Sequence, residues 1–239
     1  MDRPSQRLIR LDLEQQTLRE VNDFLHQRLP HEFAGGEMPR VEILNPNGRH
    51  NVAVGLDTPV EVDILGHAGY FIAGMNKAAR VTVHGNVGWS VAENIMSGTV
   101  RVKGCASECA GASGRGGLLV IEGDASSRCG ISLKGSDIVV AGSVGHMAAF
   151  MAQAGTLVVC GDAGAGLGDS LYEAVLYVRG QIAGLGADAR IEPLSAPDHQ
   201  RLTRLLAAAG LPHAPQEFQR VGSARNLYHW HADRGGAYG

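Results

Sequence analysis

Aromatic residues make up only 5% of this 239-residue chain, too few for the layered core that large rings usually dominate. Basic charge is not in excess either. Lys and Arg number 21 against 24 Asp and Glu, giving a net charge of -3 and a pI near 6.4. No Lys/Arg stripe runs along the sequence, which argues against nucleic-acid binding. Long apolar runs are missing: no window approaches the roughly 18 residues of a membrane span. Met1-Asp2-Arg3-Pro4 opens no apolar segment, so neither export nor membrane insertion is expected and a cytoplasmic location is. The four cysteines, Cys105, Cys109, Cys129 and Cys160, form no C-x-x-C pair. They encode no metal site or iron-sulfur cluster and are expected to be small buried thiols. No histidine pairs with a serine or cysteine in a nucleophile-and-base pattern.

Glycine, by contrast, is abundant, with 33 residues, and it is ordered. Gly66, Gly85, Gly104, Gly123, Gly142, Gly161 and Gly180 follow one another at an unbroken interval of 19. Four places before each stand Val62, Val81, Val100, Leu119, Ile138, Leu157 and Leu176; two places before stand Ile64, Val83, Val102, Ile121, Val140, Val159 and Val178. One face of a period-two strand is therefore aliphatic in every copy. Two places after the glycine come Ala68, Val87, Ala106, Ala125, Val144, Ala163 and Ile182; seven places after come Ala73, Ala92, Gly111, Gly130, Ala149, Gly168 and Ala187. These small residues suit tight corners around a narrow interior.

Nineteen residues is too short for a helix pair or a propeller blade but fits one coil of a parallel β-helix with three short strand faces. The fold class is all-β: a parallel, expected right-handed, β-helix solenoid of about seven coils, roughly 34 Å long at about 4.8 Å per coil. Residues 1–58 are an N-terminal helix and capping segment, 59–193 the β-helix, and 194–239 a C-terminal helix and extended tail. Leu18, Val21, Phe24 and Leu25 mark the first helix, stopped by Pro30; Leu202, Leu205 and Leu206 mark the second, closed by Gly210. Such covers protect the end coils of a solenoid.

The outward column, three places before each glycine, reads Asp63, Thr82, Arg101, Val120, Val139, Val158 and Tyr177. It turns apolar after the third coil. A strip of this kind is either roofed by the chain's own C-terminal helix or docked by another protein. Val120, Val139, Val158 and Tyr177 are the candidate interface. Asp124 and Asp162 share a turn column with His67, Asn86, Cys105, Ser143 and Gln181 and are not read as catalytic acids. The run Gly161 to Gly168 resembles a dinucleotide fingerprint, but no βαβ unit follows it. The run Gly111 to Gly117 could cradle an anion, although corner glycines explain it. In the tail, His229, His231 and Asp233 alternate as metal ligands can, without a fourth ligand nearby; Arg225, Tyr228, His229 and His231 are candidate tail contacts.

With the grid in place, the chain resembles the glycine-rich (GXGXG) β-helix domain that ends the large subunit of glutamate synthase. Coverage is about residues 50 to 190. Within that family it is most similar to the separate β-helix subunit of the N-methylglutamate synthase type. The resemblance rests on Gly66-His67-Ala68-Gly69-Tyr70, Ala92-Glu93-Asn94-Ile95-Met96-Ser97-Gly98, Gly145-His146-Met147 and the tail Gly222-Ser223-Ala224-Arg225-Asn226-Leu227-Tyr228-His229. It implies a hetero-oligomer making N-methylglutamate from glutamate and methylamine. A glutaminase-like amidotransferase subunit and a synthase subunit carrying FMN and an iron-sulfur cluster would flank this chain. The nucleophilic cysteine and the cluster cysteines belong to those partners, so no catalytic, cofactor or metal residue is expected here. The β-helix subunit of formylmethanofuran dehydrogenase or the formyltransferase/hydrolase complex has a comparable grid and is the runner-up. A freestanding β-helix enzyme, the reading from another class, should show inserted loops or a six-residue sub-period, and neither is present.

Overall fold

A computed structural model describes residues 8–32 and 38–225. Nine parallel strands form one continuous ladder: β1 (Leu8–Asp12), β2 (Arg40–Leu44), β3 (Glu61–Leu65), β4 (Arg80–Val83), β5 (Thr99–Val102), β6 (Leu118–Ile121), β7 (Lys134–Val140), β8 (Ala154–Val159) and β9 (Val175–Val178). From β3 to β9 the register advances by 19 residues per strand, broken only where Lys134 at the start of β7 pairs with Ala154, so that Val62 stands over Val81, Val81 over Val100, and onward to Leu176. Both aliphatic columns are buried along their whole length. The chain is a parallel β-solenoid with a solid interior, filled by stacked Val, Ile and Leu.

The ladder reaches further towards the N-terminus than the glycine grid does. β2 pairs with β3 at an offset of 21 residues and β1 with β2 at an offset of 32, both parallel. The extra residues between β1 and β2 include the first helix. Thr17 caps α1 (Leu18–Asp23) in a capping box with Glu20. A π-helical turn, Phe24–Arg28, follows, and α2 (Leu29–Glu32) continues the path. Val21, Phe24, Leu25 and Leu29 are buried against the interior of the first coil. Pro30 therefore does not stop the helix. The wider turn hands over at Leu29, whose N–H bonds to the Phe24 carbonyl. A proline in the first turn of a new helical segment gives up no bond it would have made.

Three faces per coil are present, but only one is a regular strand. The second is a single bridge column running from Ala68 to Ile182. The third alternates backbone handedness: Phe71, Ala73 and Met75 have positive φ, as do Ser90, Ala92 and Asn94 in the next coil and the equivalent residues through Gly166, Gly168 and Ser170. Its amides point alternately up and down the stack. Phe71 N–H donates to the Trp89 carbonyl above, and Ala73 N–H to the Val52 carbonyl below. Every second residue thereby pairs with a neighbouring coil, which satisfies the backbone without strand geometry. The small column seven places after the glycine is the inward member of this left-handed set, which is why Ala or Gly stands there.

The grid glycines have a different reason. A Cβ on Gly123 or Gly142 would lie 2.8–2.9 Å from the backbone of the grid glycine in the preceding coil. Glycine N–H groups meanwhile donate to glycine carbonyls in succession: Gly104 to Gly85, Gly123 to Gly104, Gly142 to Gly123, Gly161 to Gly142 and Gly180 to Gly161, at 2.8–3.1 Å. The corner stacks too closely for any side chain.

At the far end the direction reverses. β11 (Gln219–Ser223) pairs antiparallel with β9, and β10 (Ala189–Glu192) antiparallel with β11. Between them in sequence, α3 (Ala196–Ala209) starts at a Ser195–Asp198 capping box and ends at Gly210, left-handed at φ 76°.

Candidate functional site

Four surfaces emerge from this arrangement. The first is the apolar strip. Val120, Val139, Val158 and Tyr177 are fully buried, packed with Leu202, Leu205, Leu206 and Ala209 of α3 and with Phe218. The chain's own helix, not a partner, covers the strip. The side chains named as a candidate interface are thus interior residues. The helix fits because its apolar residues recur at 202, 205, 206 and 209, one stripe of a 3.6-residue period.

The helix is fixed at both ends by polar contacts to the same outward column. At its start the Tyr177 hydroxyl donates to Asp198 Oδ1 at 2.5 Å, and Arg220 Nε donates to the same oxygen at 3.3 Å. Burial alone would raise the Asp198 carboxyl; hydrogen bonds from Ser195 and Tyr177 overcome it and hold the group below the usual carboxylate range. Burial and the Asp198 bond push the Tyr177 phenol well up. At its end, Arg101 Nη1 and Nη2 donate to the carbonyls of Ala209 and Ala208, both at 3.1 Å. Arg101 also meets Glu122 at 2.9 Å, and Lys103 meets it at 2.6 Å.

The second surface is the open half of the strand face. Its charges pair between coils: Arg10 with Glu42, Arg40 and His84 with Asp63, and Arg80 with Glu61. The turn column after the grid glycines forms a comparable ladder. His67 Nδ1 accepts from Asn86 N–H, Asn86 Oδ1 from Cys105 N–H, Asp124 Oδ1 from Ser143 N–H, Ser143 Oγ from Asp162 N–H, and Asp162 Oδ1 from Gln181 N–H, at 2.7–3.0 Å. Asp124 and Asp162 are therefore structural acceptors. The discounted glycine runs behave likewise. A Cβ on Gly164 would meet the Gly145 carbonyl at 2.8 Å, and one on Gly117 the Gly98 carbonyl at 2.8 Å.

The third is a groove of about 700 Å³ at the C-terminal end, lined by Arg190, Ile191, Glu192, Asp198, Arg201 and Arg220 among others. Its acids are already engaged, because Arg220 bonds both Glu192 and Asp198 and Arg190 bonds Glu192. Arg225, at the neighbouring rim, pairs with Asp188. Tyr228, His229, His231 and Asp233 lie outside the described residues.

The fourth surface gave no clear signal in sequence. Tyr70 stacks on His50 at 4.3 Å and on Trp89 at 5.3 Å, and Phe71, Met75 and Met96 are exposed on the same two coils as Tyr70 and Trp89. What could have pointed to it is that Tyr70 and Trp89 each stand four places after adjacent grid glycines, Gly66 and Gly85.

Chemistry is sparse. Among the described residues no group of three or more His, Cys, Asp or Glu is placed to hold a metal ion. No described helix is long and apolar enough to cross a membrane. Cys129 and Cys160 are buried, and burial raises their thiols to about 12 and about 11. Cys109 is raised by burial and by Glu108 and Glu93; Cys105 is exposed. Of the four thiols, two match the expectation of inert buried groups.

Sequence comparison supplies the relationship. Protein GlxC of Rhizobium meliloti (strain 1021) is 55% identical over 230 residues, 95% of this chain and 99% of that protein. The chain belongs to the GlxC family. No protein-family model matches the chain, and no solved structure matches it.

Proposed function

We propose that the chain is the non-catalytic β-helix subunit of a glutamate synthase-like complex of the N-methylglutamate synthase type. In this reading it scaffolds a glutaminase-like amidotransferase subunit and a synthase subunit that carries FMN and an iron-sulfur cluster. The observation that carries the reading is the filled interior: each coil's inward positions are Val, Ile, Leu and Ala, buried along the rod. A post of this kind has no bore, so a small amine or ammonia would travel along its outer surface, in a passage walled jointly with its partners. The inter-coil pairing of charges fits a chain that organises chemistry done elsewhere.

Co-expression tests the reading. The chain purified alone is expected to show no flavin absorbance and no turnover, and the complex captured through it to show both. N-methylglutamate formation by the isolated chain, or failure to retain either partner, would overturn it. Stoichiometric trapping of free ammonia or methylamine during turnover by the intact complex would remove the walled passage while leaving the scaffold.

A further inference from the structure

The strand ladder ends in an unused edge. Among the described residues β10 is the last strand of the sheet, with β11 on one side and no strand on the other. Ala224 N–H donates to the Asp188 carbonyl at 2.6 Å, which fixes the phase of the antiparallel pairing. Arg190–Gly222 and Glu192–Arg220 are the hydrogen-bonded pairs, and Ile191–Val221 is a pair without bonds. The N–H and carbonyl of Ile191 therefore point away from β11, and neither finds a partner among the described residues. The Ile191 side chain is 54% exposed, the most open of the large apolar residues described. An edge of this kind is a template for a further strand.

The flanking side chains say which strand. Arg190 and Glu192 lie on the opposite face of the sheet from Ile191. Arg190 Nε meets Glu192 at 2.7 Å, which uses one of the five donors of its guanidinium, and Arg220 bonds Glu192 from across the ladder. Arg190-Ile191-Glu192 is its own complement in an antiparallel pair. A two-fold axis perpendicular to the sheet, passing midway between two copies of Ile191, is a symmetry that antiparallel pairing already possesses. It sets Ile191 opposite Ile191 as a hydrogen-bonded pair, each N–H donating to the other's carbonyl. Arg190 of each copy then lies opposite Glu192 of the other, with Cα atoms about 4.5 Å apart. Each arginine stands beside two glutamates, its own and the opposite one.

We infer that β10 is an isologous edge through which two copies of this chain join their sheets. The rods meet end to end at their last strands, which leaves the faces along each rod open. No other subunit is needed, so the inference stands or falls separately from the proposed complex.

Sedimentation equilibrium on the purified chain, from about 5 to 500 µM, is expected to show a particle of twice 25.1 kDa. Ile191→Pro removes the outward N–H without touching the β10–β11 bonds, and should weaken association at least about tenfold while circular dichroism stays native. Arg190→Glu and Glu192→Lys should each weaken self-association about fivefold or more, yet the two variants mixed should associate with one another to within about twofold of the wild type. Should Glu192→Lys lose its native circular dichroism, Ile191→Pro and Arg190→Glu still decide. A monomer throughout the range would overturn the inference, as would a dimer indifferent to Ile191→Pro or to Arg190→Glu. So would folded variants that fail to associate when mixed, or assemblies that grow beyond two copies with concentration, which would mean that β10 pairs with a different edge.

Discussion

The strand face of this rod presents the same column of residues under two conditions. From Gly66 to Gly104 the column is Asp63, Thr82 and Arg101, open to water and laced by ion pairs between coils. From Gly123 to Gly180 it is Val120, Val139, Val158 and Tyr177, dry beneath α3. Apart from a register shift between Lys134 and Asp137 at the start of β7, the backbone register, inward columns and corner glycines are the same in both halves. One outward side chain per coil therefore decides which half receives the helix, and Arg101 stands at the boundary because it terminates that helix. Exposed ion pairs add about 0–1 kcal/mol each, whereas each buried apolar side chain of the roof contributes about 1.5–3 kcal/mol. The roofed half is expected to be the more stable.

The sharpest way to break this contrast is to place one charge in each half. Val139→Glu buries a carboxylate under Leu202 and Leu205 and is expected to cost about 3–4 kcal/mol in urea unfolding. Thr82→Glu, at the same column position in the open half, should change stability by no more than about 0.5 kcal/mol. Next in size is the corner shared by both halves. Gly142→Ala drives a Cβ to 2.8 Å from the Gly123 carbonyl and should cost about 2–3 kcal/mol. Gly184→Ala, whose nearest neighbours are 3.8 Å away, should stay within about 0.5 kcal/mol.

Smaller effects belong to the helix ends. Arg101→Met removes two charge-assisted bonds to the final carbonyls of α3 and should cost about 1–1.5 kcal/mol, seen as faster amide exchange in its last turn. At the opposite end, the folded-state pKa of Asp198 lies below its unfolded value. Its stabilisation is therefore complete above the unfolded pKa and is lost as pH falls through the folded one. Acid titration of unfolding should show this loss in the wild type, and in Asp198→Asn it should be gone.

Much of the rod was legible because stacking forces a strict period on the residues that touch between coils. The aliphatic columns and the grid glycines follow directly from it, while Leu202, Leu205 and Leu206 were legible as a stripe of the 3.6-residue helical period. Three features escaped for identifiable reasons. β1 and β2 join the ladder at offsets of 32 and 21, outside the 19-residue grid, because a helix and a longer turn intervene. The alternating-handed face uses Phe71, Met75, Arg128 and Met147 at positive φ, residue types that announce no such backbone. The covering of Val120, Val139, Val158 and Tyr177 was one of two readings the column allowed, since an apolar strip states only that something must cover it.

α3 also measures the rod. Its span from Asp198 to Ala209, about 16 Å at 1.5 Å per residue, is held between Tyr177 and Arg101, four strand steps or about 19 Å apart. A duplicated or deleted coil anywhere between those two residues would carry Arg101 about 4.8 Å away from the carbonyls it caps. Insertions inside this stretch would have to be matched by three or four residues of helix, while the end segments outside it can vary in length independently. The length of this chain is therefore gauged in its middle and free at its margins.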